Sequence, residues 1–306
     1  MVSINREILL HLATPLAILI ISAILPPSLQ RVMIMLIIYL ALAICWLTIF
    51  KMGYVSLGSA AFYGLGMYLF VYLSILGLPK ILDFIIIAIF IFFFSLTLGY
   101  ITLRLTGIFF ILATFATAEA LRQIFIFIEI NYTGYIGKII RDSLSIFETL
   151  SLLSLLLLLA SIFYFILSRD RIKVILNFIR EDEVLARISG INTLKYKLII
   201  FSTSSVIQGL LGSVAAWYLA YIDPEIAFNP TISIQTLAIG LMGGTGHYLG
   251  PFASALILIL LSEQLIRIAP NLHLIVIGGI VIIFSRVGMG FSELIEILWR
   301  WLKWGK

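Results

Sequence analysis

Apolar runs about as long as a bilayer is thick follow one another along almost the whole chain. They cover 8–25, 32–50, 56–76, 81–103, 108–128, 150–167, 197–221, 232–242, 251–266 and 272–284. A helix needs about 20 apolar residues to cross the hydrocarbon, so about eight to ten spans are expected, the shortest being candidate half-helices. Composition agrees: 62% of residues are hydrophobic, 11% are charged and the mean hydropathy is +1.17. A soluble domain carries about 25% charged residues. Apolar walls such as 152–159 do not fit the alternating strands of an outer-membrane barrel. The fold class is therefore an all-α integral membrane protein. It is a polytopic helical bundle with some spans broken or re-entrant, and one domain spans 1–306.

One polar island, 168–197, interrupts the walls. It holds Arg169, Asp170, Arg171, Lys173, Arg180, Glu181, Asp182, Glu183, Arg187, Lys195 and Lys197. If each run is one crossing, the island shares its side with both termini and with Arg6, Lys51, Arg104, Arg286, Arg300, Lys303 and Lys306. The opposite side keeps Arg31, Lys80, Arg122, Lys138, Arg141 and Arg267. Basic residues accumulate on the cytoplasmic side, so both termini and the island are expected there, in a cell membrane. This placement explains the net charge of +5 without nucleic acid as a partner. Pro26 and Pro27 follow the first run and no small-x-small cleavage site appears, so an uncleaved first helix is expected.

Absences narrow the function. Cys45 is the only cysteine, which excludes an internal disulfide. His11, His247 and His273 are far apart and lack ligand spacing, so no metal site is expected. No G-x-x-x-x-G-K-[ST] loop, nucleophile elbow or H-E-x-x-H stretch occurs. Catalytic, cofactor-binding and metal-binding residues are thus not expected, and transport rather than catalysis remains.

The island reads as a short helix over 177–189, with Phe178, Val184, Leu185 and Ile188 on one broad face. Glu183 and Arg187 stand four apart in the favourable acid-before-base order. Gly190 supplies a left-handed stop, and Asn192 or Thr193 can cap the next helix. Such a helix can lie on lipid headgroups. The acidic Glu181, Asp182 and Glu183 would be repelled by anionic lipid, which favours a groove in a cytoplasmic protein.

Other candidates lie within the spans. Gly53 precedes Ser56, Ala60 and Gly64, whose four-residue spacing gives a small-residue face for close helix packing or a hinge. Gly243, Gly244, Gly246, Gly250 and Pro251 break any helix through that region. They form either a cytoplasmic turn or a re-entrant break, and the charge balance favours the turn. Glu119 with Arg122, and Glu263 with Arg267, stand at helical spacing in apolar runs and can neutralise each other. Such charges face a bundle interior or a watery path, so both pathway and helix-locking roles fit. Gln208, Asn131 and Gln235 are weaker pathway candidates.

The segment IREDEVLARISGINTLKYKLIIFSTSSVIQGLLGSVAA at 179–216 resembles the coupling-loop region of the branched-chain amino acid ABC permeases, M-type subunit. In the same order, GYVSLGSAAFYGLGMY at 53–68, LRLTGIFFILATFATAEALR at 103–122 and GLMGGTGHYLGPFASA at 240–255 are similar to its other signatures. YTGYIG at 132–137 lacks the usual double glycine, and the 285–290 tail lacks its proline. The resemblance implies the membrane subunit of a binding-protein-dependent importer, forming half of a path for branched-chain or related amino acids. It makes Arg180, Glu181, Asp182, Glu183, Arg187, Gly190 and Asn192 the ATPase-coupling residues, while Glu119, Arg122, Gln208 and Glu263 stay pathway candidates by their charge or polarity within the spans. It implies a second homologous permease subunit in a heterodimer, two cytoplasmic ATPase subunits that use ATP and Mg, and an extracytoplasmic solute-binding protein. Sugar, urea or amide uptake is the nearest alternative. A gradient-driven carrier would show two matching inverted halves, and no clear internal repeat is seen.

Overall fold

The computed structural model describes residues 14–22, 24–140, 142–246, 249–287 and 290–291. Residues 14–22 are helical, and residues 8–13 and 23 of the first apolar run, together with His247, lie outside the described residues. Ten further helices follow the apolar runs and the connections between them. They are α1 (Pro27–Phe50), α2 (Ser59–Ile75), α3 (Lys80–Thr102), α4 (Ile108–Ile128), α5 (Ile146–Leu167), α8 (Thr193–Leu219), α9 (Pro224–Ala227), α10 (Pro230–Gly243), α11 (Leu249–Ile268) and α12 (Pro270–Val287). The island supplies α6 (Asp170–Glu181) and α7 (Glu183–Ile188). Seven described helices are long and apolar enough to cross a membrane, and Ser59–Ile75 and Leu272–Phe284 are shorter apolar helices. The chain is thus a polytopic all-α bundle, as the runs predict.

Local chemistry sets the boundaries. Pro27 starts α1 and Pro230 starts α10, where the missing N–H costs no helical hydrogen bond. Ser145 and Glu148 close a capping box on α5. Asp223 and Asn229 cap α9 and α10 through their side chains. A π-helical turn, Glu129–Thr133, ends the fourth span, and left-handed Gly134 follows it.

Helix α8 forms the centre of the bundle. It packs most extensively on α2 and α3 and also meets α1 and α5, while α1 lies against α5 and α10. The chain ends of the spans fall into two groups. At one end the Lys51 ammonium donates to the Ser168 hydroxyl, Gly53 touches Arg180, and the Tyr164 hydroxyl donates to the Thr245 carbonyl at 3.1 Å. At the other end β1 (Lys138–Ile139) pairs antiparallel with β2 (Tyr221–Ile222), and Arg122 reaches Glu225. Of the basic residues that the sequence places with the island, Lys51 meets it through Ser168, while Arg6, Arg300, Lys303 and Lys306 lie outside the described residues.

Candidate functional site

The island is two helices and not one. Asp182 adopts extended backbone, with φ −151° and ψ 103°, and its Oδ1 accepts from the amides of Val184 (2.8 Å) and Leu185 (3.0 Å). A short carboxylate that satisfies the free N–H groups of a new helix competes with continuation of the old one. The expected helix over 177–189 is corrected accordingly: α6 ends at Glu181 and α7 begins at Glu183.

The two halves have different faces. Leu176 and Ile179 of α6 are buried, and Arg180 lies over the Phe50 ring, so α6 is packed down on the bundle end. Gly53 has φ +86°, and a Cβ there would lie 3.2 Å from Arg180 Cγ, so glycine lets the α1–α2 turn pass under α6. Gly53 is thus a turn residue rather than part of a packed helix face. On α7 only Ala186 is fully buried, while Val184, Leu185 and Ile188 are 65%, 51% and 77% exposed. Three large apolar side chains project from the polar end of a membrane bundle.

The acidic triplet is not one acidic face. Asp182 is spent on capping, and Glu183 pairs with Arg187 and, at 2.6 Å, with Lys197 of α8. Burial alone would raise the Glu183 carboxyl, but the hydrogen bonds from Lys197 and Arg187 outweigh it and hold the group below the usual carboxylate range. Glu181 is left exposed. The turn chemistry follows the sequence closely. Gly190 has φ +83°, Ile191 N–H bonds to the Ala186 carbonyl at 3.0 Å, and Asn192 Oδ1 caps α8 through Lys195 N–H at 3.1 Å.

The span candidates separate. Glu119 and Arg122 pair on α4, and Arg122 also grips both carboxylate oxygens of Glu225 at 2.9 and 2.7 Å. Both side chains are part-buried, Glu119 35% and Arg122 21% exposed. Glu225, which clamps α4 to α9, carries no signal in the sequence because it lies 103 residues from its partner. Glu263 and Arg267 pair at 2.8 Å on an exposed face of α11. Gln208 is buried in α8, and its Oε1 finds no hydrogen-bond partner among the described residues. Gln235 bonds to the ring of His273 at 3.0 Å. The structure therefore does not gather Glu119, Arg122, Gln208 and Glu263 into one site.

The small residues serve packing. Ser56 precedes α2, so it is not on one helical face with Ala60 and Gly64; its carbonyl instead accepts from Trp46 Nε1 at 2.8 Å. Ala60 N–H donates to Ser233 Oγ at 2.9 Å, and a Cβ at Gly64 would stand 2.5 Å from the Ala227 carbonyl. The tightest crossing is one the spacing did not flag. A Cβ on Gly66 would fall 1.9 Å from the Gly209 carbonyl, and one on Gly212 would fall 1.9 Å from the Tyr63 carbonyl. Of the glycine-proline stretch, Gly243 ends α10, Gly244 turns with φ +70°, and Gly250 and Pro251 lie in the first turn of α11. Gly246 lies between them, and the Tyr164–Thr245 bond holds this turn at the island's end. The described parts, 243–246 and 249–251, lead from α10 into α11, and residues 247–248 lie outside the described residues.

Comparison with known proteins agrees with this architecture. The family described as branched-chain amino acid transport system / permease component matches residues 28–285. The chain is 29% identical over 105 residues to the high-affinity branched-chain amino acid transport system permease protein LivM of Escherichia coli K12, and equally to that of Salmonella typhimurium LT2. That stretch is 34% of this chain and 24% of each relative, so it spans about a quarter of their length. No solved structure matches. With apolar helices throughout and a family match from the start of α1 almost to the end of α12, the chain belongs to the branched-chain amino acid transport system permease family.

Proposed function

We propose that this chain is the membrane subunit of an ATP-binding-cassette importer and forms one half of the path for branched-chain or related amino acids. A second homologous subunit supplies the other half, and a heterodimer is the expected pairing. Two ATPase subunits dock on α6 and α7 from the cytoplasm and use ATP and Mg there. A solute-binding protein delivers substrate at the opposite end, near β1, β2 and α9.

The observation that carries this reading is α7. A capped helix, rooted by α6 on one side and by α8 on the other, presents Val184, Leu185 and Ile188 to water. Exposed apolar side chains on a rigid short helix suit a hydrophobic groove in a soluble partner. When the ATPases close, they push α7, and the spans behind it switch between outward and inward access. Deleting 179–190 is expected to abolish ATP-driven leucine uptake in reconstituted vesicles while leaving the chain in the membrane. Undiminished uptake by that deletion would remove the coupling role. Uptake of urea or a sugar in place of leucine would keep the role and change the solute.

A further inference from the structure

Lys197 is 2% exposed, the lowest of any described lysine, and lies in the second turn of the central span α8. Its ammonium donates to Glu183 Oε2 of α7 at 2.6 Å and to the Tyr54 hydroxyl in the α1–α2 connection at 2.7 Å. It also lies 3.5 Å from the Leu103 carbonyl at the end of α3, and the Tyr54 hydroxyl donates to that same carbonyl at 3.2 Å. Four separate parts of the chain thus meet on one buried cation. The other oxygen of Glu183 takes hydrogen bonds from Arg187 and from Thr193, whose hydroxyl in turn accepts from Arg187 Nε at 3.2 Å.

We propose that Lys197 is the positioning residue that passes movement of α7 into the membrane helices, an inference that rests on the importer reading above. Between α7 and α8 the backbone makes only the short 189–192 turn, which bends at left-handed Gly190. A turn of that kind transmits force poorly, whereas the Glu183–Lys197 pair bypasses it. A buried ammonium that loses its one carboxylate keeps only two neutral oxygens, so Lys197 must follow Glu183 when α7 shifts. In following, it draws on Tyr54 and on the end of α3, the two elements that flank α8 at this end. Helix α8 then carries the displacement to α2 and α3, with which it makes its largest contacts.

The test uses the assembled complex in vesicles and reads radiolabelled leucine transported per ATP hydrolysed. Lys197→Met is expected to lower that ratio about tenfold, Lys197→Arg to restore most of it, and Tyr54→Phe to lower it by a smaller factor. A residue that only stabilised the fold would reduce the yield of complex and leave the ratio of the surviving complex unchanged. An unchanged ratio in assembled Lys197→Met overturns the proposal. If that variant fails to assemble, Tyr54→Phe decides, because it removes a single hydroxyl: an unchanged ratio there overturns it too. A wild-type complex without ATP-driven uptake would instead overturn the importer reading, and this inference with it.

Discussion

Where two helices cross inside lipid, apolar side chains gain nothing by leaving one hydrocarbon for another, so close contact has to supply the attraction. Gly66 and Gly212 meet that demand by letting α2 and α8 touch backbone to backbone, and the Ser213 hydroxyl adds a bond to the Gly66 carbonyl at 3.1 Å. A methyl group at Gly66 would stand 1.9 Å from the Gly209 carbonyl, which cannot swing away as a side-chain tip would. Gly66→Ala is therefore expected to cost about 1–3 kcal/mol or more, as overpacking does, and to lower the melting temperature in detergent. Gly278→Ala, with nothing within 4 Å of the added carbon, should melt like the parent. Equal melting of both variants would contradict the crossing. The sequence drew attention to Gly64 and Ala60 by their spacing, and both are buried contacts. It did not mark Gly66, because spacing along one helix carries no information about where the second helix crosses.

Among the elements, α7 shows how a single side chain decides architecture. The apolar pattern across 177–189 is compatible with one continuous helix, and Asp182 breaks it by capping the residues that follow. Asp182→Ala is expected to destabilise α7 by about 1 kcal/mol, the usual cost of losing such a cap. Faster exchange of the Val184 and Leu185 amides would register it, and unchanged exchange would mean that the cap does not hold the helix. The stop and restart at Gly190 and Asn192 were readable because both depend only on residues within a turn of each other. The pairing of Glu183 with Lys197 was not, since Glu183 and Arg187 already satisfy the helical spacing rule. Nothing in the linear order announces that a lysine beyond the next turn completes the pair.

The whole molecule has two unlike ends, and labelling can assign them to the two sides of the membrane. Cys45 is fully buried, so single cysteines placed elsewhere report without interference. Ile188→Cys on α7 and Ile139→Cys on β1 occupy positions 77% and 78% exposed, at opposite ends of the bundle. In right-side-out vesicles a membrane-impermeant thiol reagent should modify Ile139→Cys and spare Ile188→Cys, and inverted vesicles should give the reverse. Labelling of Ile188→Cys from outside would reverse the sidedness on which ATPase docking depends.

The sequence alone determined that the chain is a helical membrane bundle, because long apolar runs leave the backbone no other way to satisfy its hydrogen bonds in hydrocarbon. It also determined the stop at Gly190 and the cap at Asn192, since both are set by neighbours within a turn of the chain. Tertiary structure decided the rest: that α8 is central, that Gly66 and Gly209 meet, that Glu225 clamps α4, and that Lys197 joins four parts of the chain. Each of these depends on residues distant in sequence and close in space. In a chain where most side chains are equally apolar, pattern cannot say which face of a helix is covered; only the packing of the folded bundle does.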